Sequence, residues 1–433
     1  MRPRFPLAPV LAAALVASLA CGGGEAPRAG SATRSGTEAA QSSGGTNAAR
    51  HLDAPHVVLV SFDGLGAQLW GRHPMPSFER VAAAGARAER MIPVYPTKTF
   101  PAHYSIATGM YVENHGLVGN RFWAPDLGAA YALSDRVAVE DGRFYRGEPI
   151  WVTAERQGMV AASFFFVGSE APVGGVQPTY WYPFDAAASP EQRVDRVLEW
   201  LAMPEETRPH MITLYFEHVD AAFHNTGPDS PETASAIARV DESLGRLLDG
   251  IEALPADRHV YLVLVSDHGL LSAPAAGVDF LDMALFPGVR LAEAGPYASL
   301  FVEQGGEERR RALRDSLAAL FPSADVWLRE DVPERLHYSS DPRIGDIVIS
   351  AAPGRRIEPA GRNVRDTHTH GWDNAVPEMS AIFLAMGPGI APGQVVPPFE
   401  AVHVYPLLAH LLGLEPNPAA DGRLEVLAPI FAR

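Results

Sequence analysis

Long apolar runs alternate with amphipathic stretches through most of the sequence. The runs HVVLVSF (56–62), MITLYFEHV (211–219), VYLVLVS (260–266) and SAIFLAMGPGI (380–390) have the near-continuous apolar pattern of strands buried on both faces. Stretches with helical spacing separate them, of which ASAIARVDESLGRLLDGIEAL (234–254) is the longest. Strands that alternate with helices predict an α/β fold, with a mostly parallel central sheet and helices on both of its faces.

A different pattern interrupts this alternation between about residues 286 and 360. Three short strand patterns, YASLFVEQ (297–304), ADVWLRE (324–330) and DIVISAA (346–352), surround the helical pattern EERRRALRDSLAALF (307–321). This grouping predicts a small α+β insertion in the α/β domain.

The N-terminus has the pattern of an export signal. Arg2 and Arg4 precede an apolar run, 7–20, that is too short for a permanent membrane span and ends in small residues. We therefore predict a signal peptide over 1–20. Residues 21–50 are rich in Gly, Ser, Ala and Thr without an apolar period, which predicts a flexible tether before a folded domain at 51–433.

Cys21 is the only cysteine of the sequence and directly follows the apolar run. The segment SLAC followed by GGG resembles the cleavage box of bacterial lipoproteins, in which the cysteine carries lipid, although Ser18 stands where that box usually has an aliphatic residue. Lipidation of Cys21 and plain secretion remain as alternatives. In both, a chain with one cysteine has no intramolecular disulfide.

Composition and charge narrow the range of functions. The chain has 433 residues, of which 47% are hydrophobic, so it can bury a large core. Its formal net charge of −16 argues against a nucleic-acid-binding surface. The basic residues are almost all arginine, and Lys98 is the only lysine.

Acidic residues follow the predicted buried strands. Asp63 ends the first strand, Asp220 follows the second, and Asp267 with His268 ends the third. Ligands of open α/β sheets collect at the carboxyl ends of strands, so we expect these side chains to converge, although each aspartate alone also suits a turn. Asp220 and His224 are four residues apart, which places both on one face of a helical turn.

Two further histidines, His368 and His370, occur in the polar stretch THTHGWDN before the last strand. Carboxylate and imidazole together suit zinc, which takes about four ligands. One ion cannot use all of these groups, so the set implies two ions, whereas a solvated Asp220–His224 pair is the alternative for that part of it.

The stretch YPTKTFPAHYS (95–105) contains a threonine with two candidate roles. Thr99 at a helix N-cap, with Pro101 in the first turn, is the commoner role for such a pattern. A threonine nucleophile at the same place is the rarer one. The two are compatible, because a helix N-terminus favours negative charge.

Seven motifs together resemble the nucleotide pyrophosphatase/phosphodiesterase family of the alkaline phosphatase superfamily, in family order from about residue 56 to the C-terminus. They carry different parts of one site, which makes the resemblance specific. The motifs are FDG (62–64), PTKTFPAHYSIATGMYVENHGLVGN (96–120), GEPIWVTAERQG (147–158), GSEAPVGGVQPTYW (168–181), RPHMITLYFEHVDAAFHNTGP (208–228), LVSDHG (264–269) and HGWDNAVPEMSAIFLAMGPG (370–389).

The resemblance implies a two-zinc phosphodiesterase with a phosphothreonine intermediate. Thr99 corresponds to the nucleophile and Asn120 to the residue that hydrogen-bonds a phosphoryl oxygen. The implied ligands are Asp63, Thr99, Asp267 and His268 for one zinc, and Asp220, His224 and His370 for the other.

Substrate choice follows less directly. The family's nucleotide enzymes stack the base on aromatic residues, and Phe100, Phe184 and Tyr215 occupy the matching positions, with core packing as the alternative for Phe184 and Tyr215. The leading hypothesis is hydrolysis of nucleotide phosphodiester or pyrophosphate bonds to nucleoside 5′-monophosphates. The alternatives are a choline-phosphodiester or lysophospholipid phosphodiesterase, and a lipoprotein that binds phosphate esters without turnover.

These inferences imply an exported protein, periplasmic or on the cell surface, that meets the membrane only through a lipid at Cys21. Its partner is a small phosphate diester. The sequence departs from the family pattern at Ala102, Val219, Phe223 and Trp372, of which Phe223 adds bulk next to a zinc ligand and is expected to narrow the pocket. Four further histidines near the motifs are expected to be structural or to support the ligands: His103, His115, His218 and His368.

Overall fold

A computed structural model of the chain describes residues 40–41 and 45–432. The predicted signal peptide, Cys21 and most of the predicted tether lie outside the described residues. Residues 45–50, at the end of that tether, contact the folded domain. The Asn47 side chain donates to the carbonyl of Arg208 (2.8 Å) and accepts from the N–H of Val160 (2.8 Å).

The described strands form one large central sheet and several small ones. In chain order they are β1 (Ala40–Gln41), β2 (His56–Phe62), β3 (Ala86–Ala88), β4 (Met91–Ile92), β5 (Arg121–Ala124), β6 (Ala129–Ala132), β7 (Ala161–Phe164), β8 (Tyr180–Tyr182), β9 (Met211–Phe216), β10 (Val260–Val265), β11 (Leu271–Ser272), β12 (Val278–Leu281), β13 (Val289–Glu293), β14 (Tyr297–Val302), β15 (Ala324–Leu328), β16 (Ile347–Ala351), β17 (Arg356–Pro359), β18 (His368–Thr369), β19 (Phe383–Met386), β20 (Gln394–Val396) and β21 (Phe399–Glu400).

Helices cover both faces of the central sheet, and α9 packs on the insertion. In chain order they are α1 (Pro76–Ala84), α2 (Thr99–Thr108), α3 (Val112–His115), α4 (Arg136–Val139), α5 (Ile150–Arg156), α6 (Pro190–Leu201), α7 (His218–Thr226), α8 (Pro231–Glu252), α9 (Gly306–Leu320) and α10 (Val404–Leu412). None of the helices in the described ranges is long and apolar enough to cross a membrane.

The central sheet has the strand order β1-β8-β7-β9-β2-β10-β19-β3-β20. Its core, from β8 to β10, is parallel, and β2 in the middle pairs with β9 and β10, so that Leu59 faces Thr213 on one side and Val263 on the other. β19 runs antiparallel to β10 and β3, so the sheet is mixed. The predicted α/β class with a mostly parallel central sheet is confirmed.

Burial explains why β2 has a continuous apolar sequence. All seven of its residues are buried. Val57 and Leu59 pack in the core layer under α2, α5 and α10, whereas Val58 and Val60 pack in the layer under α1, α6 and α8. Each face of the strand is thus covered by helices, which leaves no position for the polar half of an alternating pattern.

The predicted α+β insertion is also present. β13, β14, β16 and β15 form an antiparallel sheet in that order, and α9 packs on it through Leu313 and Leu317. Its core includes Leu300 and Ile349 and is separate from the two core layers of the central sheet.

Candidate active site

The strand register gathers the predicted ligands at one edge of the central sheet. Asp63 follows β2, and Asp267 and His268 follow β10. The short helix α7, which begins directly after β9, carries Asp220 in its first turn and His224 in its last. Because β9, β2 and β10 are adjacent and parallel, their carboxyl ends meet at the same edge.

One ligand cluster combines Asp63, Asp267, His268 and Thr99. The Nε2 atom of His268 lies 2.9 Å from a carboxylate oxygen of Asp267 and 3.7 Å from one of Asp63. The hydroxyl of Thr99 lies 3.4 Å from the same Nε2. Asp63, Asp267 and His268 are almost fully buried, so their polar atoms face one another rather than solvent.

A second cluster lies beside the first. Nε2 of His224 lies 3.4 Å from a carboxylate oxygen of Asp220, and the rings of His224 and His370 are 5.2 Å apart. The His370 ring stacks on His268 at a centroid distance of 3.6 Å, which joins the two clusters. All seven predicted ligands therefore lie in one continuous group.

The donor set fits divalent metal ions. One oxygen of each of Asp63, Asp220 and Asp267 is buried without a hydrogen-bond partner, which is costly for a carboxylate unless a cation compensates it. Burial, together with the charges of Asp267 and Asp220, raises the pKa of Asp63. Potential ligand atoms of Asp63, Asp267 and His268, and of Asp220, His268 and His370, lie within 4.8 Å of one another.

Backbone carbonyls orient two of the histidines. Nδ1 of His370 is 2.8 Å from the carbonyl oxygen of Thr97, and Nδ1 of His224 is 2.7 Å from that of His368. When Nδ1–H donates to a carbonyl, the lone pair of Nε2 is left for a metal ion. His368, which was expected to support the ligands, does so through its backbone.

Contacts behind the first cluster fix its aspartates. The Tyr215 hydroxyl donates to Asp63 at 2.6 Å, and the N–H of Gly64 donates to Asp267 at 3.1 Å. Burial alone would raise the pKa of Asp267, but the adjacent imidazoles of His268 and His103 hold that pKa below its usual value. The site thus favours an ionised Asp267.

Thr99 is the first residue of α2 rather than its N-cap. Lys98 occupies the cap position, and no side-chain capping hydrogen bond is present there, so the predicted cap was wrong by one residue. The Thr99 hydroxyl faces the cluster of predicted ligands, 3.4 Å from Nε2 of His268, instead of the helix N–H groups. The partial positive charge of the helix N-terminus still acts on it.

His103, one turn further along α2, ties this helix to the cluster. Its Nδ1 lies 2.8 Å from the carbonyl oxygen of Thr99 and 3.3 Å from a carboxylate oxygen of Asp267, and its Nε2 lies 2.7 Å from the hydroxyl of Ser61. His103 therefore joins the helix that carries Thr99 to the strand that precedes Asp63.

His115 has a comparable role on the turn that precedes Asn120. Its Nε2 lies 2.8 Å from the hydroxyl of Ser105 on α2, and its Nδ1 accepts from the N–H of Leu117. Burial lowers the pKa of His115 to about 3, so the ring is neutral and can accept that bond. His218, by contrast, lies beside Glu217 at 3.9 Å and makes no contact with the ligands.

Hydrogen bonds and packing hold the segment 97–99 against the turn that carries His370. The Thr97 hydroxyl donates to the carbonyl of Trp372 (3.0 Å) and accepts from the N–H of Gly371 (2.9 Å). The buried side chain of Lys98 lies over Gly371, where a Cβ atom would come within 2.6 Å of the lysine Cε. Burial lowers the pKa of Lys98, and nearby acidic groups offset part of this lowering.

Asn120 presents its amide to the cavity. Its Oδ1 accepts from the N–H of Phe100 at 3.0 Å, which leaves the Nδ2 group as a donor. The next residue is held by the insertion, because the N–H of Arg121 donates to Glu293 at 2.9 Å. The insertion thus supports the backbone on which Asn120 is placed.

A cavity of about 530 Å³ opens over the two clusters. Its floor is polar and its side wall is aromatic. The floor comprises Asp63, Thr99, Asn120, Asp220, His224 and His370, and the wall includes Phe100, Phe165, Phe166, Phe184 and Tyr215.

The three predicted substrate-contacting aromatics all line this cavity. Phe184 is 41% exposed and meets Tyr215 edge-on at 6.2 Å, so it is not a core residue. Phe100 packs edge-on against Tyr131 at 6.1 Å. Tyr215 is buried and carries the additional hydroxyl bond to Asp63, so its ring joins the wall to the floor.

An ion pair that the sequence analysis did not find also lines the cavity. Arg136 binds both carboxylate oxygens of Glu170, one of them at 3.1 Å, and Glu170 accepts from the N–H of Phe184 at 3.2 Å. Phe165 and Phe166 were missed as well, although the run SFFFVG (163–168) is an aromatic cluster at a strand end and could have indicated them.

Two of the departures from the family pattern have structural explanations. Phe223 is buried in the core layer under α8 and does not line the cavity, so the expected narrowing of the pocket was wrong. Trp372 is fully buried, and its indole N–H lies within hydrogen-bond distance of the carbonyls of Ala352 (3.1 Å) and Arg355 (2.9 Å). Trp372 therefore anchors the turn after His370 to the insertion.

Known proteins are similar to this chain in sequence and fold. The chain is 34% identical over 385 residues to human ectonucleotide pyrophosphatase/phosphodiesterase family member 1, an alignment that covers 85% of this chain and 41% of the human protein. It is 32% identical to an uncharacterized pyrophosphatase/phosphodiesterase of Schizosaccharomyces pombe, with 86% of this chain and 80% of that protein covered. The chain thus spans about two fifths of the length of the human relative.

Solved structures of related proteins have the same fold as this chain. Murine ectonucleotide pyrophosphatase/phosphodiesterase 5 superimposes with a TM-score of 0.81 at 30% identity, over 87% of this chain and all of that one. An inactive variant of the same murine protein in complex with AMP superimposes equally well. The family model for type I phosphodiesterase/nucleotide pyrophosphatase matches residues 57–373, and the chain belongs to that family.

Proposed function

We propose that this protein is a metal-dependent phosphodiesterase and nucleotide pyrophosphatase that releases nucleoside 5′-monophosphates. The observation that carries the proposal is the convergence of six potential aspartate and histidine ligands, a threonine hydroxyl and an amide donor at the base of one aromatic-walled cavity. The AMP complex of the murine relative supports a nucleotide as substrate.

The ligand set matches two zinc ions. Asp63, Thr99, Asp267 and His268 would hold one of them, and Asp220, His224 and His370 would hold the other. When bound, two zinc ions supply Lewis-acid stabilisation of the attacking and leaving oxygens and lower the pKa of a coordinated hydroxyl.

The chain's own residues supply the nucleophile and the positioning. The Thr99 oxygen attacks phosphorus as the P–O bond to the leaving group breaks on the opposite side, which releases the leaving group and forms a phosphothreonine. Water then cleaves the bond between phosphorus and the Thr99 oxygen, which releases the nucleoside 5′-monophosphate and restores the Thr99 hydroxyl. The Asn120 amide donates to a phosphoryl oxygen whose charge grows in the transition state. His103 holds the backbone of Thr99, and the carbonyls of Thr97 and His368 hold the ligand histidines in the required orientation.

The pairing of Glu170 with Arg136 argues for a nucleotide over a choline phosphodiester. A quaternary ammonium is bound by a cage of aromatic rings or by a free carboxylate. Glu170 lines the cavity, but Arg136 binds both of its oxygens, so this carboxylate is not free for a cation. Flat faces such as those of Phe100 and Phe184 suit a nucleobase.

A panel of chromogenic substrates tests the proposal. Purified protein is assayed on p-nitrophenyl thymidine 5′-monophosphate, p-nitrophenyl phosphorylcholine, bis-p-nitrophenyl phosphate and p-nitrophenyl phosphate, with metal content measured on the same sample. We expect the highest kcat/KM on the nucleotide diester. A preference for phosphorylcholine would replace the nucleotide assignment, and binding of AMP without turnover of any substrate would support the non-catalytic alternative.

We further propose that the protein is exported, periplasmic or on the cell surface, and anchored through lipid at Cys21. The support is the sequence of the first 21 residues. Globomycin, which blocks lipoprotein signal cleavage, should cause a lipidated precursor to accumulate in a bacterial host, and Cys21→Ser should release the protein from the membrane fraction. An unchanged distribution of Cys21→Ser would favour plain secretion.

A further inference from the structure

Phe165 has an unusual backbone conformation for a bulky residue. It lies directly after β7 with φ of +70°, in the left-handed region that favours glycine. Within the described ranges, the only other non-glycine residue with positive φ is His337, at +46°. A disfavoured conformation of this kind persists only where the surrounding structure holds it.

A buried network of hydroxyl groups holds the turn around Phe165. Thr213 Oγ1 donates to Ser163 Oγ (2.7 Å), which donates to Ser169 Oγ (2.8 Å), which in turn donates to the carbonyl of Phe166 (2.7 Å). Ser163 lies two residues before Phe165, whereas Ser169 and the carbonyl of Phe166 lie after it. The backbone is therefore fixed on both sides of the left-handed residue.

The left-handed conformation moves the Phe165 ring to the other side of the sheet. Side chains alternate along a strand, so the residue after Phe164 would ordinarily lie on the opposite face. Instead, the two rings are 4.5 Å apart, and Phe164 packs on Tyr182 in the same core layer. The buried guanidinium of Arg193 lies 5.0 Å from the Phe165 ring and packs against it.

In this position the Phe165 ring supports Phe184. The two rings meet edge-on at 5.3 Å, and Phe184, which is 41% exposed, has Tyr215 as its other ring neighbour. We propose that Phe165 is a positioning residue for nucleotide recognition, because its left-handed backbone places its ring against Phe184 and holds Phe184 as a wall for the base. This inference rests on the function proposed above.

The test compares kcat/KM on p-nitrophenyl thymidine 5′-monophosphate with kcat/KM on bis-p-nitrophenyl phosphate. We expect Phe165→Gly to lower this ratio about fivefold or more, the lower part of the range for lost stacking on an aromatic ring. Its metal content should not change. Its Tm should exceed that of Phe165→Ala, because glycine accepts a positive φ without steric cost.

A double variant separates positioning from general packing. If Phe165 acts through Phe184, adding Phe165→Gly to Phe184→Ala should change the substrate ratio less than twofold beyond Phe184→Ala alone. His337→Gly is the matched control, since it makes the same backbone change outside the cavity, and it should leave the ratio unchanged. Phe165→Leu keeps apolar volume for folding and should lower the ratio as well.

The outcomes distinguish this inference from the function on which it rests. A wild-type enzyme without preference for the nucleotide diester would overturn the nucleotide assignment itself. A wild-type preference that Phe165→Gly and Phe165→Leu leave intact would overturn only the role of Phe165. Fully additive losses in the double variant, or equal losses on both substrates, would likewise show that Phe165 packs without positioning Phe184.

Discussion

The floor and the aromatic wall of the cavity are built in different ways. The floor stands on the carboxyl ends of β9, β2 and β10, in the middle of the sheet, where Asp63 and Asp267 are almost fully buried. Apart from Tyr215 on β9, the wall stands on segments outside these three strands, such as the turn after β7 and the residues after β8, and Phe184 is partly exposed. The floor is held by hydrogen bonds and the wall mainly by ring contacts.

This difference implies that the floor and the wall have separate roles, the floor in catalysis and the wall in substrate recognition. Buried carboxylates with unpartnered oxygens are costly to keep and are retained where a cation compensates them, so the floor is suited to chemistry on any phosphate ester. Apart from Tyr215, whose hydroxyl donates to Asp63, the wall residues can change without removing a hydrogen bond to these carboxylates. We therefore expect changes to the floor to affect all substrates alike and changes to the wall to affect nucleotides selectively.

Removal of metal should have the largest effect. We expect purified protein to contain about two zinc ions per chain, and chelation should abolish turnover of nucleotide and simple diesters alike because every step depends on the floor. Zinc should restore both activities. The measurement is metal content with activity before and after chelation, and full activity in thoroughly demetallated protein would contradict the two-metal site.

Loss of the Thr99 hydroxyl should be almost as severe. Thr99→Ala should lower kcat at least about a thousandfold on both substrates, since the attacking oxygen is gone while six other ligands remain to bind metal. Thr99→Ser, which keeps an oxygen, should retain part of the rate. If Thr99→Ala kept most of its activity with normal metal content, Thr99 would only be the first residue of a helix.

Asn120 should contribute less than the nucleophile. Asn120→Ala should cost about 2 to 4 kcal/mol of transition-state stabilisation on both substrates, as for other donors to a developing oxyanion. Metal content should be unchanged. Asn120→Asp keeps an acceptor for the N–H of Phe100 but places negative charge near the phosphoryl group, so it should lose at least as much; activity close to wild type in Asn120→Asp would contradict the donor role.

Removal of an aromatic ring from the wall should act on nucleotides alone. Phe100→Ala should weaken kcat/KM on the nucleotide diester by about 1 to 3 kcal/mol and leave bis-p-nitrophenyl phosphate nearly unaffected. The ratio of the two kcat/KM values is the measurement, because a general loss of folding or metal cancels from it. Equal losses on both would mean that the Phe100 ring only packs.

Tyr215→Phe is the matched control, because it keeps the ring in the wall and removes only the bond to the floor. Without the hydroxyl that donates to Asp63 at 2.6 Å, both substrates should lose about 1 to 2 kcal/mol to the same extent. A loss of kcat/KM on the nucleotide diester alone would show that the Tyr215 hydroxyl takes part in base recognition. It would contradict the separation of roles between floor and wall.

The floor was predictable from sequence because its ligands follow the strongest signals in the chain. Asp63 and Asp267 come directly after buried apolar runs, and the topology of parallel strands brings such positions together whatever their separation in sequence. The pattern of the insertion was equally clear, since its short strands and single helix differ from the alternation around them.

The wall was harder to predict because it depends on backbone conformation. Nothing in the alternation of apolar residues shows that Phe165 leaves the face that its strand parity assigns to it. The pairing of Arg136 with Glu170 joins the start of α4 to a turn 34 residues later, without a spacing rule that would connect them. The prediction that Thr99 is the helix N-cap was also wrong because it depends on backbone conformation. The cap and the first helical residue are neighbours in the chain, and the sequence pattern does not distinguish them.

Lys98, packed over Gly371 and directly before Thr99 in the chain, allows this site to be followed by lysine-directed protein chemistry. It is the only lysine of the sequence and is 9% exposed, so an amine-acylating reagent has one side-chain target besides the α-amino group, and a lysine-specific protease has one cleavage site. Acylation of this single amine can be followed by intact mass. Its rate therefore reports how often the segment before the proposed nucleophile opens locally and exposes Lys98 from the turn that carries His370.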